Sequence, residues 1–180
     1  MRVITGRARG RKLETPTGDA IRPTTDMVKE AIFNIVQFDI PNRRILDLFA
    51  GTGQLGIESL SRGAATCDFV DSSKSACALV RANLAATGLQ GGQVYQSDAG
   101  AFIKRGERYD LVFLDPPYDM KHIDVVVADL MRFDILYQHG IIVCETRVEE
   151  RLPEAVAPYV KGRSYRYGKV NITIYTKEPE

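Results

Sequence analysis

The fold is decided between residues 45 and 56, which read ILDLFAGTGQLG. The mostly apolar run 45–50 is typical of a buried strand. Three glycines in the spacing G-x-G-x-x-G follow it, and an apolar helical pattern continues from Ile57. A strand, a glycine-rich turn and a helix in this order predict an open α/β sheet that binds its ligand at the carboxyl ends of the strands.

Strands and helices alternate along the rest of the chain. Apolar or β-prone segments and the turns between them predict further strands at 67–71, 93–96, 111–114, 140–145, 164–167 and 170–176. Apolar residues at helical spacing predict helices near 25–36, 57–62, 73–87, 99–105, 123–131 and 149–157. This alternation predicts an α/β, Rossmann-like fold with a seven-stranded, mostly parallel sheet and an antiparallel C-terminal hairpin. A small N-terminal β-hairpin and a helix precede the sheet.

Length and composition are those of an ordinary globular protein. With 180 residues, 44% hydrophobic and 26% charged, we expect a single domain, 1–180, in which 1–40 form an extension and 41–180 the ligand-binding core. The first residues lack the apolar segment of a signal peptide and no apolar run could cross a bilayer, so we expect a cytoplasmic protein with no membrane partner. We also expect it to be a monomer. The three cysteines have no C-x-x-C spacing, so we expect them buried and expect no metal site.

A second motif, Asp115-Pro116-Pro117-Tyr118, directly follows the apolar strand 111–114. The prolines end the strand, stiffen the loop and lack N–H donors, which leaves the Pro116 carbonyl able to accept a hydrogen bond. Together with the Asp115 carboxylate and the aromatic face of Tyr118, it could clamp a planar ring that carries an NH2 group. The alternative is an ordinary proline turn with Tyr118 packed in the core.

Acids end four successive strands, at Asp47, Asp71, Asp98 and Asp115. The glycine motif with an acid about 20 residues later is also the dinucleotide fingerprint, so NAD must be considered. S-adenosylmethionine instead presents a sulfonium and an amino-acid tail, and the acids at Asp47 and Asp98 favour it. Asp71 is placed to accept from ribose hydroxyls and Asp98 from an adenine amino group. Both could equally be caps of the helices that follow them.

The N-terminal segment is basic. Its cations, with no accompanying acid in the first twelve residues, include Arg7, Arg9, Arg11 and Lys12, and Arg22 follows before the first helix. Gly6 and Gly10 predict that residues 2–5 pair with 12–15 as a hairpin. Such a hairpin could follow a phosphate backbone, although a charge run of this kind could also be a solvated tail.

These motifs resemble those of a known family. Residues 47–53 (DLFAGTG) and Asp115 to Tyr118 resemble the class I S-adenosylmethionine-dependent methyltransferases that act on an amino nitrogen. More closely, the chain is similar to bacterial enzymes of the RsmD type, which methylate the N2 amine of one guanine in 16S ribosomal RNA. The further likeness lies in 2–12, 22–24, 30–34, 46–58, 61–64 and 167–168. Gln54 stands where alanine would be more usual, and Asp71 where many relatives have glutamate.

The resemblance implies a class I methyltransferase fold, S-adenosylmethionine as the cofactor and 16S rRNA, within small-subunit assembly particles, as the partner. It implies that Asp115, Pro116, Pro117 and Tyr118 hold the guanine. It also implies a cofactor-binding set, made up of Asp47, Phe49, Gly51, Gly53, Asp71, Ser72, Asp98, Ala99 and Asp115.

Several other functions must be weighed. N6-adenine DNA methyltransferases share the Asp-Pro-Pro-Tyr motif, and glutamine N5-methyltransferases have an Asn form of it. An NAD-dependent oxidoreductase would explain the glycines but not Asp115 to Tyr118, and a non-catalytic RNA-binding assembly factor would not need the acids.

Overall fold

Seven strands form one sheet in the order β3-β2-β1-β4-β5-β7-β6. The computed structural model describes residues 1–16, 26–117, 120 and 122–179. The strands are β1 (Arg44–Leu48), β2 (Thr66–Asp71), β3 (Gly92–Gln96), β4 (Tyr109–Leu114), β5 (Leu136–Arg147), β6 (Tyr159–Tyr167) and β7 (Val170–Lys177). Strands β1 to β5 run parallel, and β7 pairs antiparallel with both β5 and β6. The predicted α/β fold with its antiparallel C-terminal hairpin is confirmed.

Helices cover both faces of the sheet. They are α1 (Asp26–Ile35), α2 (Gln54–Ser61), α3 (Lys74–Thr87), α4 (Ala99–Ile103) and α5 (Ile123–Arg132). Apolar residues of α1, α2 and α3 pack in one core cluster, and those of α4 and α5 pack in a second. The strands between them are apolar on both sides, as a parallel sheet covered on both faces requires.

Strand order reverses between β1 and β4. Each of these strands connects outward to a different side, so a crevice opens between their carboxyl ends, and this is where open α/β sheets bind ligands. The dinucleotide-binding order is 3-2-1-4-5-6 without an inserted antiparallel strand. The position of β7 between β5 and β6 therefore sets this sheet apart from that class.

The connection from β5 to β6 corrects one prediction. The helix near 149–157 is wrong, because residues 150–156 form no regular element. Pro153 interrupts this segment and lacks the N–H that a helix interior needs. The Leu152 and Pro153 carbonyls are instead bound by side chains of the hairpin, at 3.0 Å from Lys161 Nζ and 2.6 Å from the Tyr175 hydroxyl.

Two further predictions concern the core and the membrane. All three cysteines are free and buried, which confirms that they act as small apolar residues. Among the described residues, no helix is long and apolar enough to cross a membrane.

The N-terminal segment is packed against α2. Arg2 and Lys12 form an antiparallel bridge, so the predicted hairpin exists as a single bridge rather than as two strands. Val3, Ala8 and Leu13 are buried in the first core cluster. The segment is therefore part of the folded domain and not a solvated tail.

A buried ion pair fixes this segment. Glu58 on α2 and Lys29 on α1 are 0% exposed, with 3.3 Å between Nζ and Oε2. Glu58 also accepts from the N–H groups of Ile4 at 2.7 Å and Thr5 at 2.9 Å. Burial lowers the pKa of Lys29, and the Glu58 charge opposes that shift. One carboxylate thus connects both helices to the N-terminal backbone.

Removing this carboxylate should be costly. We expect Glu58→Ala to lower the free energy of unfolding by about 3–5 kcal/mol, because the Lys29 ammonium stays buried without its counter-ion. Urea denaturation measures the loss. Glu154→Ala is the control, since Glu154 is exposed and its pair with Lys161 contributes at most about 1 kcal/mol. Equal losses in the two variants would contradict the role given to Glu58.

Candidate active site

Three acids from adjacent strands lie on one face of the sheet, at its ligand-binding edge. Side chains alternate between the two faces along a strand, and the odd-numbered residues nearest to these acids in β1, β2 and β4 belong to the first core cluster. Because Asp47, Asp71 and Asp115 are also odd-numbered, they lie on that same face. Asp47 feels the charges of both other acids, which raise its pKa. The structure therefore brings together three of the four acids singled out in the sequence.

Asp47 is the most buried member of this group. It is 2% exposed, and its Oδ2 accepts from the Gly56 N–H at 2.9 Å. Burial is the largest cause that raises its pKa to about 8; the Gly56 hydrogen bond opposes the shift, while Asp115 and Asp71 add to it. Burial and the two neighbouring acids thus disfavour the charged form of Asp47, and a cationic ligand beside it would offset that charge.

The glycine loop has the backbone conformation that its sequence requires. Gly53 has φ +77°, in the left-handed region, and a Cβ there would lie 3.1 Å from Val80. A Cβ on Gly56 would lie 2.2 Å from the Phe69 ring, so only glycine lets α2 pack this closely on β2. Phe49 also has a positive φ of 72°, which is strained for a bulky residue.

Asp71 holds the loop from the neighbouring strand. Its Oδ2 accepts from the Gly51 N–H at 3.0 Å and its Oδ1 from the Ser73 N–H at 2.8 Å. The N-cap of α3 is Ser73, whose hydroxyl accepts from Ala76. Asp71 is therefore not the helix cap that the sequence left open, and its carboxylate stands between the loop and α3. Ser72 beside it is exposed.

Asp98 has the alternative role. Its Oδ1 accepts from the Ala101 N–H at 3.2 Å and so caps α4. The residue is exposed and Ala99 after it is buried. The contact with an adenine amino group stays a prediction alongside this capping contact.

The second motif begins directly at the end of β4. Asp115 is half-buried, Pro116 is buried and Pro117 is exposed. The Pro117 carbonyl accepts from Met120 at 2.9 Å, whereas the Pro116 carbonyl has no hydrogen bond within the described part of the chain. The stiff acceptor predicted at Pro116 is therefore available. Tyr118 lies outside the described residues.

One buried group was not singled out as a ligand contact. Gln54 is the first residue of α2 and is 6% exposed, and its Oε1 has no hydrogen-bond partner among the residues described. In the sequence, the only sign of this buried group is that glutamine stands at position 54, where alanine would be more usual. It leaves an unfilled acceptor at the junction of the loop and the helix.

The basic residues belong to the N-terminal segment, which packs against α2 and which we call the basic flank. Arg7 docks on the carboxyl end of α2, with Nη2 at 3.1 Å from the Leu60 carbonyl. Arg9, Arg11 and Lys12 are exposed. Since α2 runs back from the glycine loop over eight residues, about 12 Å separate its two ends. Arg22 lies outside the described residues.

Comparison with known proteins identifies the family. Residues 1–176 match the model of the family described as "Conserved hypothetical protein 95". The chain belongs to this family. It is 42% identical to YlbH of Bacillus subtilis (strain 168), over 98% of this chain and 99% of that protein.

Two Escherichia coli comparisons agree with the resemblance seen in the sequence. Ribosomal RNA small subunit methyltransferase D of strain K12 is 33% identical over 100% of this chain and 91% of its own length. The solved structure of yhhF superposes with a TM-score of 0.89 at 32% identity, covering 100% and 99% of the two chains. The similarity to the RsmD family and the methyltransferase fold are confirmed.

The buried acid predicts a pH dependence. Unfolded Asp47 would titrate near pH 4 and the folded residue near 8, so between these values the folded state binds more protons and loses stability as pH rises. Asp47→Asn keeps an oxygen for Gly56 and cannot ionise. We expect its free energy of unfolding, relative to wild type, to rise by on the order of 1 kcal/mol or more from pH 5 to pH 8.

Urea denaturation at both pH values measures this. Asp68→Asn is the control: Asp68 is also buried but is paired with Arg44 at 3.3 Å, and its replacement should lower stability at both pH values. If the difference in free energy of unfolding between Asp47→Asn and wild type is the same at pH 5 and pH 8, the position given to this carboxylate is wrong.

Proposed function

We propose that this protein transfers a methyl group from S-adenosylmethionine to the exocyclic N2 amine of a guanine in 16S rRNA, within small-subunit assembly particles. The observation that carries the proposal is the convergence of Asp47, Asp71 and Asp115 at the point where the strand order reverses. Membership of the family and the name of the Escherichia coli relative support rRNA as the substrate. Such a substrate implies action in the cytoplasm, and the chain is proposed to act as a monomer.

The acidic site fits this cofactor. S-adenosylmethionine carries a sulfonium and an ammonium group, either of which would offset the charge that burial and the neighbouring acids make costly at Asp47. A dinucleotide would instead bring a pyrophosphate to the same loop, where the carboxylates of Asp71 and Asp115 would repel it. The charge of the site and the inserted β7 both disfavour the oxidoreductase alternative.

Each cofactor-binding residue has a proposed part. Asp47 and the loop backbone at Phe49, Gly51 and Gly53 would hold the methionine portion. Asp71 and Ser72 would accept from the ribose hydroxyls, and Asp98 with Ala99 would border the adenine. When bound, the cofactor supplies an electrophilic methyl group on sulfur.

Asp115 and Pro116 would act on the amine. The lone pair of an exocyclic purine NH2 is delocalised into the ring, which makes it a poor nucleophile. A carboxylate and a carbonyl that accept hydrogen bonds from its two N–H groups place the nitrogen for in-line attack and increase its electron density. The unbonded Pro116 carbonyl supports this role, because a carbonyl already bonded to the protein would offer a weaker acceptor.

The base must leave its stack to reach this loop. Tyr118 would then stack on the ring, a contact that contributes about 1–3 kcal/mol. Arg7, Arg9, Arg11 and Lys12 would contact the RNA backbone, and Arg22 is proposed to contact it as well. DNA adenine methyltransferases usually add a separate recognition region, and this chain is matched to its own family from residue 1 to 176.

The decisive experiment offers labelled cofactor with three substrates. We expect label from methyl-labelled S-adenosylmethionine in the rRNA of unmethylated small subunits, and not in naked rRNA or duplex DNA. Digestion to nucleosides should yield N2-methylguanosine. Label in N6-methyladenine, or no label in any substrate, would refute the proposal.

Asp115→Ala tests the site within this assay. We expect turnover to fall at least ~100-fold, as when a positioned charge acting on the transition state is lost, with cofactor affinity within about tenfold of wild type. Asp110→Ala is the matched control, because Asp110 lies at the other end of β4 and pairs with Arg43. Its turnover should stay within about threefold. Near-normal turnover in Asp115→Ala would remove Asp115 from the reaction.

RNA contact at the basic flank is tested with point substitutions, because deleting residues 1–12 would also remove the buried Val3 and Ala8. We expect Arg9→Ala combined with Arg11→Ala to reduce the slope of log affinity for rRNA against log salt by about 1.4–1.8. Lys104→Ala with Arg132→Ala, on the opposite side of the sheet, is the control and should leave the slope unchanged. An unchanged slope in the first variant would contradict RNA contact at this flank.

A further inference from the structure

A polar pocket of about 290 Å³ lies beside the proposed catalytic edge, where the connection after β5 crosses the sheet. It is shaped by the carboxyl end of β5, by residues 150–154 and by the facing parts of β6 and β7. Its side chains are hydroxyl, amide and charged groups, with Leu152 the one apolar member of the described lining. The pocket is distinct from the three acids and lies on the other face of the sheet.

Strand register places the pocket next to the substrate motif. Leu114, the residue before Asp115, pairs with Cys144 of the neighbouring parallel strand. Thr146 therefore reaches the same edge as Pro116, one strand spacing of about 4.8 Å away. Asn171 lies opposite Thr146 on β7. The floor of the pocket is thus level with the loop proposed to hold the amine.

Four of the polar lining side chains have no bonding partner within the described residues. The side chains of Thr146, Glu150, Arg151 and Asn171 make no hydrogen bond or ion pair there. The other polar groups are used: the Ser164 and Thr173 hydroxyls lie 2.9 Å apart, and Lys161 pairs with Glu154. The pocket therefore presents free donors and acceptors inside a shape already held by its own contacts.

The chemistry of these groups suits a nucleobase better than a phosphate. Glu150 and Glu154 balance Arg151 and Lys161 within the lining, so there is no net positive charge to attract a lone phosphate. An amide and a hydroxyl can each donate and accept, which matches the mixed edge of a base. The volume lies near the ~300 Å³ lower end for ligand pockets, which suits one base rather than a helix.

The segment around the pocket is basic, although the pocket lining itself has equal numbers of acidic and basic side chains. Between residues 147 and 169 there are six cationic and three acidic residues. A nucleotide whose base entered the pocket would leave its phosphate among these cations. A base next to a flipped nucleotide also loses a stacking neighbour, so a protein pocket that receives it would lower the cost of flipping.

We infer that the pocket formed by Thr146, Arg151 and Asn171 binds the base of a nucleotide that adjoins the methylated guanine, and so contributes to the choice of target. This inference rests on the proposed function. Thr146 and Asn171 read the edge of the base from β5 and β7, and Arg151 closes the pocket from the connection between β5 and β6.

The test varies the RNA as well as the protein. Small subunits are prepared with each of the four bases on either side of the target guanine, and kcat/KM for methyl transfer is measured. We expect wild type to prefer one neighbouring base by about tenfold or more, the discrimination typical of a base-specific hydrogen-bonding pair. Asn171→Ala should reduce that preference to about twofold or less, and Arg151→Ala should raise KM with kcat little changed.

Controls separate this role from stability and from cofactor binding. Arg132→Ala removes an exposed arginine at the far end of α5 and should keep both the base preference and KM. Unfolding temperature and S-adenosylmethionine affinity should be the same in all variants. If Asn171→Ala and Arg151→Ala keep the wild-type preference and KM, the pocket inference is wrong while the proposed function stands. If wild type methylates no subunit, both are wrong.

Discussion

The loop between β1 and α2 is held from beneath by two carboxylates, and the arrangement of the site depends on this. Asp47 accepts from Gly56 and Asp71 accepts from Gly51, so acids on neighbouring strands fix both ends of one turn. The cost falls on Asp47, whose burial, together with the charges of Asp115 and Asp71, raises its pKa to about 8. A positively charged ligand would offset this cost. The carboxylates that hold the loop therefore also favour the kind of ligand that binds in it.

A second carboxylate performs the corresponding task for the N-terminal segment. Glu58 accepts from two backbone N–H groups and pairs with the buried Lys29 ammonium at the same time. Since the cations of that segment reach solvent while its apolar residues are buried, the basic flank is held in a defined position relative to the glycine loop. Binding of an RNA backbone there would require little ordering of the protein, which favours affinity.

Much of this arrangement could be predicted from local patterns, and the exceptions have physical causes. The strand 111–114 and the glycine turn were evident because an apolar run and a forced backbone conformation each act over a few residues. The predicted helix at 149–157 does not form, because Pro153 lacks the N–H that a helix interior needs. The Lys161 ammonium and the Tyr175 hydroxyl bind carbonyls of this segment instead. The burial of Lys29 was hidden because its partner lies on another helix, and the pocket around Thr146 was hidden because three separated segments form it.

The insertion of β7 between β5 and β6 also bears on how the molecule is made. Within the described sheet, strand β6 pairs with β7 alone, although β7 follows it along the chain. During synthesis β6 is therefore made before β7, the strand that pairs it with the sheet, and it stays unpaired until β7 follows. The substrate side of the sheet is consequently assembled late, after the half that carries the glycine turn already has every neighbour it needs.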